Sequence, residues 1–244
     1  MPASLRRSAR VRAAVRAVRR RRRRLLEALG SDRLSRPANH DLERKLAAYL
    51  PDRDGTFLEA GAYDGFTESN TYWFERMRGW TGVLVEPVPD MAAIARRERP
   101  GSQVFACALV ADDVEGATIR MQTGGTMSLV EGAGPSRDFE IAHAQEGARL
   151  TRREQHEIDV PARTLSAVLD EAGAPELDLM SLDVEGSEAV ALEGLDLDRH
   201  APRFVLVEML HEEGQRGRIE AALGDRYAHE AQLSVWDHLY RRVV

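Results

Sequence analysis

From residue 56 onward, short apolar runs alternate with stretches whose apolar residues recur every three or four positions. The first pattern predicts buried strands and the second predicts one-sided helices. TFLEA (56–60), GVLVEP (82–87) and QVFACALV (103–110) read as strands. Between them, TESNTYWFERM (67–77) and DMAAIARRER (90–99) read as helices, the first burying Tyr72, Trp73 and Phe74 in part. The rhythm resumes at TLSAVLDEAG (164–173), a helix with Thr164 as its cap and Gly173 as its stop. LDLMSLDVEG (177–186) and RFVLVEM (203–209) follow as strands, and EEGQRGRIEAALG (212–224) as a helix. RYAHEAQL and SVWDHLYRRVV close the chain as a hairpin. Strands that alternate with helices predict an α/β three-layer sandwich with a mostly parallel sheet, here ending in an antiparallel pair.

The rhythm pauses between residues 111 and 160. ATIRMQT (117–123) predicts an extra strand and GGTMSL (124–129) a loop or short strand. Residues 131–157 are polar and show no clear period; an excursion of that length is usually functional or mobile. Before the first strand, Asp41 is placed to cap a short helix through Leu50 that Pro51 ends. The expected organisation is a basic extension over 1–30, a linker and short helix over 31–55, and one domain over 56–244.

Charge divides the chain more sharply than its net value of −6 suggests. Residues 1–24 hold eleven arginines and no acid, which leaves 23 basic against 40 acidic residues in the remainder. Val11, Val15, Val18 and Leu25 suit one face of a helix in this tail. Such a helix fits an anionic membrane surface or nucleic acid, an organelle-targeting segment, or a solvated extension docked on the acidic body. The single cysteine, Cys107, excludes an internal disulfide framework and a cysteine metal cluster, and suits a reducing compartment. The expected location is cytoplasmic, peripheral to a membrane through the tail.

In an open parallel sheet, ligands bind beyond the carboxyl ends of the strands. Glu59 there precedes the turn Gly61-Ala62-Tyr63-Asp64-Gly65. Gly61 lets backbone approach a ligand closely and Gly65 permits positive φ. Two carboxylates at this turn disfavour a diphosphate and suit a cationic amino group, although an ordinary glycine turn would look similar. Glu86, at the end of the second strand, is placed to take both hydroxyls of a ribose, or stands as a surface carboxylate. Asp183 and Glu185 follow an apolar strand where the reacting end of a cofactor would lie, or else decorate a helix N-terminus. Glu208 and His211 end the next strand.

FLEAGAYDGFTESNTYWFE, GWTGVLVEPVP, ARTLSAVLDE, DLMSLDVEGSEAVALEGLD and RFVLVEM together resemble the FkbM-type methyltransferases. The resemblance implies a class I, Rossmann-like methyltransferase that uses S-adenosylmethionine to methylate a hydroxyl of a sugar, glycan or secondary metabolite. It puts Glu59 and Gly61 by the methionine portion, Glu86 on the ribose, Ala108 and Leu109 around the adenine, and Asp183 facing the sulfonium. The implied cofactor site also takes in Ala62, Tyr63, Asp64, Gly65, Asn70 and Pro87. Asp183, Glu185 and His211 are the expected catalytic set, and Asp183 with Glu208 the candidate ligands for a Mg²⁺ ion. The family often has Asp at the position of Glu59 and Asn at Tyr63 or Asp64. A nicotinamide-dependent oxidoreductase on a similar sheet, or a non-catalytic nucleotide-binding domain tethered by the tail, are the competing readings. The lack of a G-x-G-x-x-G spacing weighs against the first.

Overall fold

The computed structural model describes residues 3–174, 176–210 and 212–244. Its main sheet uses seven strands. These are β1 (Thr56–Ala60), β2 (Thr81–Val85), β3 (Ser102–Phe105), β8 (Leu179–Leu182), β9 (Phe204–Glu208), β10 (Tyr227–Gln232) and β11 (Asp237–Arg242). Their spatial order is β10-β11-β9-β8-β1-β2-β3. From β9 through β3 all neighbours are parallel, whereas β11 runs antiparallel to both β9 and β10. The expected sheet and closing hairpin are therefore both present.

Successive residues of a strand point to opposite faces, so each strand feeds two cores. Leu58, Val83, Met180 and Val205 pack with α6 (Leu165–Ala172), α7 (Glu188–Glu193) and α8 (Glu212–Leu223). Phe57, Leu84, Leu179 and Leu206 pack with α2 (Leu42–Leu46), α3 (Tyr72–Arg78) and α4 (Pro89–Glu98). Burial on both faces explains why these strands read as continuous apolar runs.

Several boundaries differ from the sequence reading. The helix expected over 67–77 starts only at Tyr72, because residues 61–71 are occupied by turns. The strand expected over 103–110 divides: β3 stays in the main sheet, while β4 (Ala108–Leu109) joins a second sheet of order β4-β7-β5-β6. There β7 is His156–Arg163, β5 is Thr118–Thr123 and β6 is Leu129–Val130. The polar stretch 131–157 holds a fifteen-residue helix, α5 (Arg137–Thr151). Asp41 does not cap α2 through its side chain; it adopts positive φ after a 3₁₀ turn.

The basic extension is helix α1 (Ala3–Ala28), and its last turns are packed on the body rather than separated at residue 30. Arg23 and Glu27 are buried. Arg23 pairs with Glu98 and donates from Nε to the Tyr72 hydroxyl at 3.0 Å, which donates in turn to Glu27 at 2.8 Å. Ser35 and Arg76 also bind the Glu27 carboxylate. These hydrogen bonds hold its pKa below the usual carboxylate value despite burial.

Candidate active site

The carboxyl ends of β1, β2, β8 and β9 open on one cavity of about 430 Å³. Its opposite wall comes from the second sheet (Ala108, Leu109, Met121, Val130), the turn Gly125–Met127, and His143 and Leu150 of α5. The long excursion in the sequence thus supplies the wall that faces the strand ends. The volume lies within the usual range for small-molecule sites.

Gly61 marks the closest packing at the floor. It has φ +83°, and a Cβ built on it would lie 1.8 Å from the Asp183 carbonyl oxygen. The cause is register: Ala60 pairs with Leu182, so the next residues of both strands meet beyond the sheet. No side chain fits there.

Glu59 does not reach outward as a free carboxylate. Its oxygens accept from Ser69 Oγ at 2.8 Å, the Asn70 amide at 2.8 Å and Thr71 Oγ1 at 2.5 Å, and Arg99 lies 3.5 Å away. Arg99 is fully buried and also binds Glu75, Ser69 and Thr71. Glu59 and Arg99 together fix the loop that follows the glycine turn. Asn70, so positioned, donates to Ser181 Oγ at 3.1 Å and lines the cavity. Asp64 likewise serves its own loop, accepting from the amides of Phe66 and Thr67. Ala62, Asp64 and Gly65 are not part of the cavity wall, whereas Glu59, Gly61, Tyr63, Asn70, Glu86, Pro87, Ala108, Leu109 and Asp183 are. Tyr63 has positive φ, and its hydroxyl accepts from Arg153 at 2.7 Å, tying the turn to the segment after α5.

Glu86 is buried with each oxygen held by one backbone amide, from Tyr63 and Val88, both at 2.8 Å. Burial pushes its pKa up to about 7 against those two hydrogen bonds. Glu86 lines the cavity, and each oxygen has acceptor capacity beyond its one amide contact.

Four acids gather around the end of β8. Asp183 and Glu208 follow the paired residues Leu182 and Val207, which places their carboxyls side by side. Burial raises both first: Glu208, with Glu185 and Asp237 nearby, is pushed up to about 7 even though its contact with Asp183 lowers it, and Asp183, beside Glu208 and Glu185, stands well above the ordinary carboxylate value. Two neighbouring buried carboxyls disfavour ionisation of both at once. Glu188 is buried beneath them. It accepts from the amides of Val184 and Gly186, and burial pushes it up to about 7. Glu185, held at φ +55°, meets His143 Nε2 at 2.6 Å. Its pKa is raised by burial, while the His143 pKa is raised first by this hydrogen bond.

The structure therefore brings Asp183, Glu185 and Glu208 together and adds His143, which the sequence did not single out. His211 lies outside the described residues. The expected Mg²⁺ site finds no support: among the described residues no group of three or more metal-ligating side chains is placed to hold an ion.

The strand order, the closing hairpin and a cavity at the strand ends define an α/β methyltransferase of class I. Residues 59–241 match the methyltransferase FkbM domain, three-quarters of the chain, and the chain belongs to that family of S-adenosylmethionine-dependent enzymes. Among solved structures it is similar to the methyltransferase FkbM from Methylobacillus flagellatus KT, with 17% identity, a TM-score of 0.45, and coverage of 77% of this chain and 43% of that one. It is also similar to a TehB-like methyltransferase from Corynebacterium glutamicum, with 12% identity, a TM-score of 0.45, and coverage of 91% and 95%. A methyltransferase from Aquifex aeolicus gives 11% identity, a TM-score of 0.44, and coverage of 85% and 95%. The chain thus spans less than half of the Methylobacillus protein. No curated protein sequence matches.

Proposed function

We propose that the protein methylates a hydroxyl oxygen of a sugar, glycan or other small-molecule acceptor. The observation that carries this reading is the 2.6 Å contact between His143 and Glu185 in the same cavity as the amide-held Glu86 carboxylate. A hydroxyl needs a base, and this cavity has an oriented one.

S-adenosylmethionine supplies an electrophilic methyl group when bound. Glu86 would hold its ribose diol, Gly61 and Asn70 its amino-acid portion, and Ala108 with Leu109 its adenine. The loop that follows β1 supports the choice of a cofactor without phosphate. A dinucleotide is held by a helix N-terminus directly after the first glycine turn. Here α3 begins only at Tyr72, and Asp64 and Glu68 occupy the intervening loop. On the acceptor side, a protonated carboxyl of Asp183 or Glu208 would donate to the hydroxyl oxygen and orient it, leaving the hydroxyl's one proton for the base. His143 takes that proton, and Glu185 stabilises the imidazolium that results. The second sheet and α5 form the wall opposite the strand ends.

The test is transfer of label from methyl-labelled S-adenosylmethionine into a metabolite or glycan extract. The wild type should yield a labelled ether that resists alkali, and Asp183→Asn should not. Label in an alkali-labile ester or on nitrogen would contradict hydroxyl methylation. Cofactor binding without any transfer would instead support a non-catalytic domain.

A further inference from the structure

Helix α1 has two unlike faces. Arg20, Arg23, Arg24 and Glu27 turn toward the body, where Glu98 receives all three arginines. Arg23 also lies over the Phe66 ring at 3.4 Å. Residues 15, 18, 22, 25 and 29 recur at four- and three-residue steps, so they share the opposite face. That face shows Val18 at 69%, Leu25 at 62% and Leu29 at 75% exposure, with Val15 at 45%. Arg22 lies within this stripe and the exposed Arg19 and Arg21 flank it. Apolar side chains this exposed are unusual beside such a charge density, and the ion pairs on the inner face keep the stripe pointing away from the body.

An apolar stripe edged by arginines on a helix of low mean hydropathy is the composition of a helix lying in a membrane interface. Arginines attract anionic headgroups while valine and leucine enter the acyl boundary. No described helix is long and apolar enough to cross a membrane, so contact would be from one side. Nucleic acid would satisfy the arginines and leave Val18 and Leu25 without a role. The body to which α1 is fastened is acidic, 23 basic against 40 acidic residues, so the positive charge that an anionic surface requires is concentrated on this helix. We propose that α1 is an interfacial helix that holds the protein on anionic lipid through the face bearing Val15, Val18, Leu25 and Leu29.

Co-sedimentation of the full chain with phosphatidylcholine vesicles, with and without phosphatidylglycerol, tests this. The wild type should bind the anionic vesicles, fail to bind the neutral ones, and weaken as salt rises. Val18→Asp/Leu25→Asp should lower vesicle binding at least about tenfold, as should Arg19→Glu/Arg21→Glu. Both variants alter exposed side chains, and S-adenosylhomocysteine binding reports that the body is intact. Absence of binding to anionic vesicles overturns the proposal, as does full binding by Val18→Asp/Leu25→Asp. Retention on DNA or RNA that exceeds vesicle binding and ignores the aspartates assigns the helix to nucleic acid instead. A dimer in sedimentation analysis that Leu25→Asp dissociates assigns the stripe to a second copy of the chain.

Discussion

Asp183 and Glu208 stand side by side at the ends of adjacent parallel strands, where burial raises the pKa of both carboxyls. That placement sets two acids of raised pKa, each at a strand end, against one cavity. It also makes stability depend on pH. A carboxyl with a raised pKa in the fold binds more protons folded than unfolded. Its contribution is therefore present below the unfolded value and lost as pH rises through the folded one.

For Glu208, near 7 in the fold, the window runs from about pH 4.5 to about pH 7.5. Denaturant titrations of the ligand-free protein should show stability falling across it. Glu208→Gln should make that fall smaller by about 3 kcal/mol. An identical slope in the variant would show that no raised carboxyl resides there.

His143 should titrate above the ordinary histidine value, since its leading interaction is the hydrogen bond to Glu185. Glu185→Gln removes that anion, so NMR titration of the imidazole should report a lower pKa. The alkaline-rising limb of activity should move to lower pH by the same amount. His143→Ala should reduce turnover by roughly 10²–10⁴ with little change in S-adenosylhomocysteine affinity. Full turnover in that variant would return the base role to another group.

Gly61→Ala should be far more damaging than its size suggests. The new methyl group would meet the Asp183 carbonyl at 1.8 Å, on a backbone with φ +83°. A loss of about 3 kcal/mol or more is expected, together with weaker cofactor binding. Gly173→Ala is the control. It also has positive φ, but nothing lies within 4 Å of its Cβ, and only the conformational penalty of about 1–2 kcal/mol applies. Equal losses at the two sites would contradict the close contact.

Removing residues 1–18 should leave thermal stability unchanged, because exposed side chains dominate that part of α1 from residue 14 onward. Removal through residue 30 strips Arg20, Arg23 and Arg24 from the buried Glu98, and Glu27 from Tyr72. An uncompensated buried charge costs roughly 3–5 kcal/mol, so the midpoint should fall clearly. Equal stability of the two truncations would show the docking to be incidental.

The parts of the fold that bury both faces were legible in the sequence. β1, β2, β8 and β9 read as apolar runs because neither face meets water, and Gly61 was legible because its position tolerates no side chain. Helix α5 was hidden because its buried positions are Glu140, Ala144, Gly147 and Ala148, small or charged residues that leave no apolar period. His143 was hidden with it. The histidine-to-glutamate contact spans 42 positions and depends on how α5 crosses the strand ends. The break between β3 and β4 was invisible because both halves are apolar, although they enter different sheets. Glu59 and Asp64 drew notice as acids beside a glycine turn, yet their carboxylates hold the loop itself. At the other end, the docking face of α1 consists of arginines and a glutamate, so the sequence offers docking on the acidic body only as one alternative beside lipid, nucleic acid and targeting.

Calorimetric titration with S-adenosylhomocysteine bears most directly on the central claim, that this cavity takes S-adenosylmethionine with Glu86 on the ribose. One molecule should bind per chain, and NAD should give no heat. Glu86→Ala should weaken affinity by about 10- to 100-fold, as expected for the loss of charge-assisted contacts worth about 1.5–3 kcal/mol. An unchanged dissociation constant in Glu86→Ala, or binding of NAD in preference to S-adenosylhomocysteine, would contradict the claim.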